Sequence, residues 1–126
     1  MPKVLIVDDE PLIRLLIEQT LEVFEDQGVE ILSAENGIEA VEIIKKERPE
    51  LVFLDVMMPK MNGFEVCSIV KQQLLMKDVC IVMLTAKGQE QDRQKALEAG
   101  TDQYITKPFS IQEVSSKVSE ILKISP

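Results

Sequence analysis

The sequence predicts an α/β fold: five parallel strands in one doubly wound sheet, with helices on both faces. Three observations carry this. Short continuous apolar runs recur at Val4–Val7, Leu51–Leu54 and Val79–Leu84, as strands covered on both faces require. Between them, apolar residues repeat at helical spacing, and alternation of the two periods implies right-handed crossovers and a parallel sheet. The chain has 126 residues, of which 45% are apolar and 29% charged, the length and composition of one globular domain with a substantial core.

The elements follow in order. Val4-Leu5-Ile6-Val7 is the first strand. Pro11 suits the first turn of a helix, whose stripe is Ile13, Leu16, Ile17, Thr20, Leu21 and Phe24. Gly28 punctuates, and Ile31 and Leu32 belong to a short second strand. Asn36-Gly37 is a turn signal, after which Ile38, Val41 and Ile44 mark a second helix that Pro49 ends. Leu51–Leu54 is the third strand. Met57 to Asn62 contains Pro59 and reads as a loop, with Asn62 as N-cap. Val66, Cys67, Val70 and Leu74 mark a third helix, and Cys80–Leu84 the fourth strand. Gln89 to Ala99 is a fourth helix, ended by Gly100. Tyr104-Ile105 is a short fifth strand. Ser110 caps a last helix with the stripe Ile111, Val114, Val118, Ile121 and Leu122.

Composition removes several functions. Lys+Arg 14 against Asp+Glu 22 gives a net charge of −8, which argues against a broad basic face for nucleic acid and suits metal cations. Histidine is absent; the usual zinc sites, Ser-His-Asp and Cys-His catalysis and any phosphohistidine role go with it. Cys67 and Cys80 both sit in apolar stretches and read as reduced core thiols of a cytosolic protein. No apolar run approaches the roughly 20 residues of a membrane span, and the N-terminus enters a strand with no signal-peptide pattern.

In open parallel sheets, ligands bind outside the carboxyl ends of the strands. Strand one ends in Asp8-Asp9-Glu10, strand three in Asp55 and strand four in Thr85, and strand five is followed by Lys107-Pro108. Alone, each is a helix cap or a solvated charge. Together they bring polar groups from four strands to one rim. Adjacent strands lie about 4.8 Å apart, so adjacency of strands one and three would bring Asp8, Asp9 and Asp55 within roughly 5 Å of one another. At an effective dielectric near 20 each such pair repels by about 3 kcal/mol. A raised pKa, Lys107 or a bound cation must offset that. The donors are all oxygen, which favours a hard cation, Mg²⁺ better than Ca²⁺. Metal, Lys107 and Thr85 together make a phosphoryl site. Asp55, ionised at neutral pH, needs no general base to act as its nucleophile, and the product would be an acyl phosphate.

These segments resemble the receiver domain of bacterial two-component response regulators over nearly the whole chain, read as one domain across residues 1–126. Asp8-Asp9-Glu10 resembles that family's acidic pair, Asp55 through Gly63 its phosphoacceptor loop, Thr85-Ala86 its Thr/Ser-Ala element, and Ala99 through Phe109 its last conserved stretch. The resemblance implies a flavodoxin-like five-stranded sheet of order 2-1-3-4-5. It implies Asp55 as the phosphoacceptor for a histidine kinase or histidine phosphotransfer protein, and a cytoplasmic protein. Mg²⁺ would be held by Asp9, Asp55 and the backbone carbonyl of Met57, with Asp8 acting largely through water. Lys107 would pair with Asp55 or its phosphate, across a cis Lys107-Pro108 bond. Thr85 and Tyr104 would be the switch, Thr85 moving to the phosphoryl group and Tyr104 turning inward. That would reshape the surface of helix four, strand five and helix five toward a protein target, a tethered output domain or a phosphorylation-dependent homodimer, with no membrane and no direct nucleic-acid contact.

Some positions depart from the family's commonest pattern. Thr101 stands where Ala is frequent, and Gln103 replaces the second acid of an Asp-Asp-Tyr run seen in DNA-binding members. The latter leans toward a free-standing regulator acting by protein contact. Met57 and Lys87 occupy positions that resemble those tuning phosphate lifetime. The protein is expected to be no enzyme beyond a slow self-phosphatase. The alternatives are a Mg²⁺-dependent phosphohydrolase with an Asp nucleophile, which would want an Asp where Met57 stands, and a degenerate receiver that binds partners without phosphorylation.

Overall fold

The computed structural model describes residues 2–86 and 90–125. Five strands, β1 (Lys3–Val7), β2 (Glu30–Ala34), β3 (Leu51–Asp55), β4 (Cys80–Ala86) and β5 (Gln103–Lys107), alternate with helices α1 (Pro11–Glu25), α2 (Gly37–Glu47), α3 (Gly63–Ser68), α4 (Glu90–Ala99) and α5 (Ile111–Leu122). All pairings are parallel, in the order β2-β1-β3-β4-β5, as expected.

Alternation along each strand feeds two cores. Leu5, Val7, Val52, Leu54, Ile81 and Met83 face α2, α3 and α4, meeting Ala40, Ile44, Val66, Cys67 and Ala96. Val4, Ile6, Leu51, Phe53, Val82 and Leu84 face α1 and α5, meeting Ile17, Leu21, Phe24, Val114 and Val118. The three central strands are therefore apolar without break, the signal that the sequence carries.

Capping agrees with the sequence and extends it. Asn62 and Ser110 each form a complete capping box, with Glu65 and Glu113. Asn36, expected only as a turn residue, caps α2 by accepting from Glu39 N–H. Gly28 and Gly100 take left-handed backbone at the helix ends.

Some details differ from expectation. The third helix changes to π-helical winding over Ile69–Gln73, and Leu74 N–H bonds to the Ile69 carbonyl five residues back. The extra residue per turn moves Leu74 off the core stripe, leaving it 37% exposed. Ile38 is 49% exposed while Ala40 is buried, and the buried stripe of α2 settles on Ala40, Val41 and Ile44. The expected start of α4 at Gln89 lies outside the described residues.

Candidate functional site

Strand register builds the rim. Val7 pairs with Leu54, so the next residues, Asp8 and Asp55, leave the sheet side by side. Asp55 pairs with Leu84; Thr85 pairs with Thr106, and Ala86 with Lys107. Lys107 is thus the last residue of β5, not a loop residue beyond it, and Lys107-Pro108 is cis.

Asp8, Asp55 and Thr85 are buried. The Lys107 ammonium donates to Asp55 Oδ1 at 3.2 Å and to Asp8 Oδ2 at 3.3 Å, with Glu10 Oε1 at 3.9 Å. Burial, and then the neighbouring Asp8 charge, push the Asp55 carboxyl up to about 6 against the opposing pull of Lys107. Burial works against the Lys107 charge, but Asp55 and Asp8 outweigh it and hold the ammonium above its ordinary pKa.

Two details correct the expected acidic cluster. The carboxylates that converge to within 4.8 Å of one another are Asp8, Asp9 and Glu10; Asp55 does not complete that trio. The ammonium of Lys107 lies against both Asp8 and Asp55 and ties Asp55 to the cluster. Glu10 carried no mark in the sequence beyond its place after the acidic pair. Its backbone N–H donates to Asp8 Oδ1 at 2.9 Å, a turn that folds its carboxylate back toward the others. The donors are all carboxylate oxygens, three of them converging, so the residues present fit a hard divalent cation such as Mg²⁺. That accords with the acidic Mg²⁺ pocket general to receiver domains.

The loop after β3 is held by backbone. Val56 N–H bonds to the Leu84 carbonyl and Gly63 N–H to the Val56 carbonyl. A Cβ on Gly63 would sit 2.3 Å from the Asp55 carbonyl oxygen, and one on Gly37 would sit 2.2 Å from that of Met61. Two close backbone contacts therefore fix both ends of the loop. Met57 stands on it, 71% exposed.

Thr85 Oγ1 donates to the Ile105 carbonyl at 3.5 Å, a long bond that leaves the hydroxyl weakly held. Tyr104 is partly buried. The Arg93 guanidinium of α4 lies 5.2 Å from its ring centroid, close enough for a cation–π contact, and donates to Thr106 Oγ1 at 3.4 Å. Thr101, one of the departures noted above, is buried; its hydroxyl bonds to the Ile81 and Gln103 carbonyls, which is why a polar residue is tolerated there. Cys67 and Cys80 are both unpaired thiols, and burial pushes Cys67 up to about 12, far from a reactive thiolate. Lys87 lies outside the described residues. Among the described residues, no helix is long and apolar enough to cross a membrane.

The family model of the response regulator receiver domain matches residues 4–119. The chain is 46% identical over 123 residues to the alkaline phosphatase synthesis transcriptional regulatory protein PhoP of Bacillus subtilis, covering 98% of this chain and 49% of that protein. It is 37% identical over 123 residues to the DNA-binding dual master transcriptional regulator RpaA of Synechocystis, covering 98% of this chain and 50% of that protein. The chain thus spans about half the length of these curated relatives. The Francisella response regulator 1452 receiver domain has the same fold, with a TM-score of 0.83 at 31% identity over 98% of both chains. The receiver domain of sensor histidine kinase PA1611 from Pseudomonas aeruginosa, solved with a magnesium ion coordinated in its active site cleft, gives 0.83 at 26% identity over 98% of both chains. Sheet order, acidic rim and the match over most of the length agree: the chain belongs to the response regulator receiver family of two-component systems.

Proposed function

We propose that this domain is a phosphorylation-dependent switch whose phosphoacceptor is Asp55. A carboxylate oxygen of Asp55 attacks phosphorus of a phosphohistidine on a histidine kinase or phosphotransfer protein. The P–N bond breaks, its electron pair returns to the imidazole, and an acyl phosphate forms. The observation that carries this reading is the buried Asp55 carboxylate 3.2 Å from the Lys107 ammonium, beside a converging set of acids.

Asp8, Asp9, Asp55 and the Met57 backbone carbonyl would hold Mg²⁺. Bound there, the ion supplies positive charge for the carboxylates and for phosphoryl oxygens. Lys107 pairs with the phosphoryl group once Asp55 is esterified. Thr85, weakly held at Ile105, turns its hydroxyl to a phosphoryl oxygen. The space it leaves admits Tyr104, and the added charge of about −2 biases the domain between two packings. The α4-β5-α5 surface so altered addresses a protein target, an output domain or a second copy; nucleic acid is not contacted directly. Return to the resting state is slow self-hydrolysis: water attacks phosphorus, the P–O bond to Asp55 breaks, and carboxylate and inorganic phosphate result. The setting is the cytoplasm.

The test is incubation with acetyl phosphate and Mg²⁺, followed by intact-mass spectrometry. One phosphoryl adduct is expected, absent without Mg²⁺ and absent in Asp55→Asn. An adduct that persists in Asp55→Asn would move the acceptor elsewhere.

A further inference from the structure

Asp8 is fully buried, and each of its oxygens is engaged. Oδ1 accepts from Glu10 N–H at 2.9 Å, Oδ2 accepts from Lys107 at 3.3 Å, and its own N–H donates to the Ala34 carbonyl at 3.2 Å. The remaining oxygen, the Asp8 backbone carbonyl, has left the β1 ladder, which ends at Val7. It accepts from Arg14 Nη1 at 2.7 Å, a partly buried bond from the second turn of α1.

That bond is an unusual use of a guanidinium. Four carboxylates, Asp8, Asp9, Glu10 and Glu18, lie within six residues of Arg14 in sequence, yet its guanidinium donates to a peptide oxygen. The geometric consequence follows from the planar peptide. With Asp8 fixed by its other bonds, holding its carbonyl oxygen also fixes the N–H and Cα of Asp9. The direction in which Asp9 and Glu10 leave the strand is then set, and with it the convergence of the acids.

We infer that Arg14 is a positioning residue for the cation site, acting through the Asp8–Asp9 peptide and touching neither ion nor phosphate. The inference rests on the reading of the rim as a divalent-cation site. Its sign separates it from simple electrostatics. As a positive charge near the site, Arg14 repels a cation, so neutralising it would tighten Mg²⁺ binding if charge were all that mattered. As a positioning residue, its loss loosens the acidic cluster and weakens binding.

The experiment is calorimetric titration of the unphosphorylated chain with MgCl₂, for wild type, Arg14→Met and Arg14→Lys. Removal of a group that orients metal ligands costs on the order of tenfold in affinity, the loss expected for Arg14→Met. Arg14→Lys, which keeps the charge but not the planar fork, falls between it and wild type. Phosphorylation of Asp55 by acetyl phosphate should slow at limiting Mg²⁺ and recover at saturating Mg²⁺. Unchanged or tighter Mg²⁺ binding by Arg14→Met overturns the inference. Arg14→Gln, which keeps a polar side chain at this half-buried position, carries the same test with the same outcomes if the Met variant does not fold. The titration needs no phosphoryl group, so an Asp55 that takes no phosphate leaves its result standing. A wild-type chain that binds no Mg²⁺ overturns the site and the role of Arg14 together.

Discussion

Lys107 on β5 reaches over the end of β4 to stand 3.2 Å from Asp55 on β3. One ammonium thereby serves two buried carboxylates that leave adjacent strands, Asp55 and Asp8. Strands β1, β3 and β5 are joined at the rim by a single side chain. Whatever changes the charge at Asp55 changes the hold on β5.

Removing that side chain should separate chemistry from signalling. In Lys107→Ala, Asp55 loses the influence that opposes its upward shift, so its carboxyl titrates at still higher pH, readable from the pH dependence of its carbon-13 carboxyl resonance. Phosphorylation with Mg²⁺ should persist while the downstream response fails. An unaltered response in cells would contradict the role given to Lys107.

The raised Asp55 pKa predicts a pH-dependent stability gain on its neutralisation. The folded value is about 6 against an ordinary 3.8. The folded chain therefore binds the proton more tightly than the unfolded chain, and stability falls as pH rises from about 4 to about 6. Above that window the penalty is complete. Asp55→Asn removes it and should be more stable than wild type by about 3 kcal/mol at pH 7 without divalent cations. The gap should shrink toward zero near pH 4. Urea unfolding at the two pH values checks this, and a gap of equal size at both would rule out the titration of Asp55 as its source.

Gly63→Ala and Gly37→Ala should each be severe for want of space. Neither glycine has left-handed backbone, but a Cβ would meet the carbonyl oxygen of Asp55 or of Met61 inside 2.5 Å. Backbone oxygens cannot rotate away, so the chain must shift, and losses of about 3 kcal/mol are expected. Gly63→Ala should also slow phosphorylation, since the displaced atom belongs to the phosphoacceptor itself. Denaturation midpoints within error of wild type would show that the loop adjusts freely.

Met57→Asn tests how the acyl phosphate is protected. Met57 is largely exposed two residues after Asp55, apolar and of a size to obstruct an attacking water. An amide there would offer that water a hydrogen bond instead. Loss of phosphoryl adduct, followed by mass spectrometry after removal of acetyl phosphate, should be faster in the variant. Equal or slower decay would refute the shielding.

The sheet was legible in the sequence because β1, β3 and β4 are covered on both faces and leave continuous apolar runs. The rim was legible because a parallel sheet sends every strand's carboxyl end to one edge, so that Asp8, Asp55, Thr85 and Lys107 could be grouped before any geometry was known. Other features left no such trace. Arg14 borders the apolar stripe of α1, one turn before the buried Ile17, where a charged residue reads as solvated, and its bond to the Asp8 carbonyl depends on how the helix leaves the strand. Glu10 joins Asp8 and Asp9 through a local turn that spacing does not encode. The π-helical winding after Ser68 adds one residue to a turn, which displaced Leu74 from an otherwise sound stripe.

The chain has one tyrosine and no tryptophan, and that tyrosine is Tyr104 on β5, with the Arg93 guanidinium of α4 beside its ring. Tyrosine emission from the unlabelled protein therefore arises from a single known ring. Quenching or brightening on exposure to a phosphodonor or a binding partner reports on that ring alone, without a dye or an introduced residue.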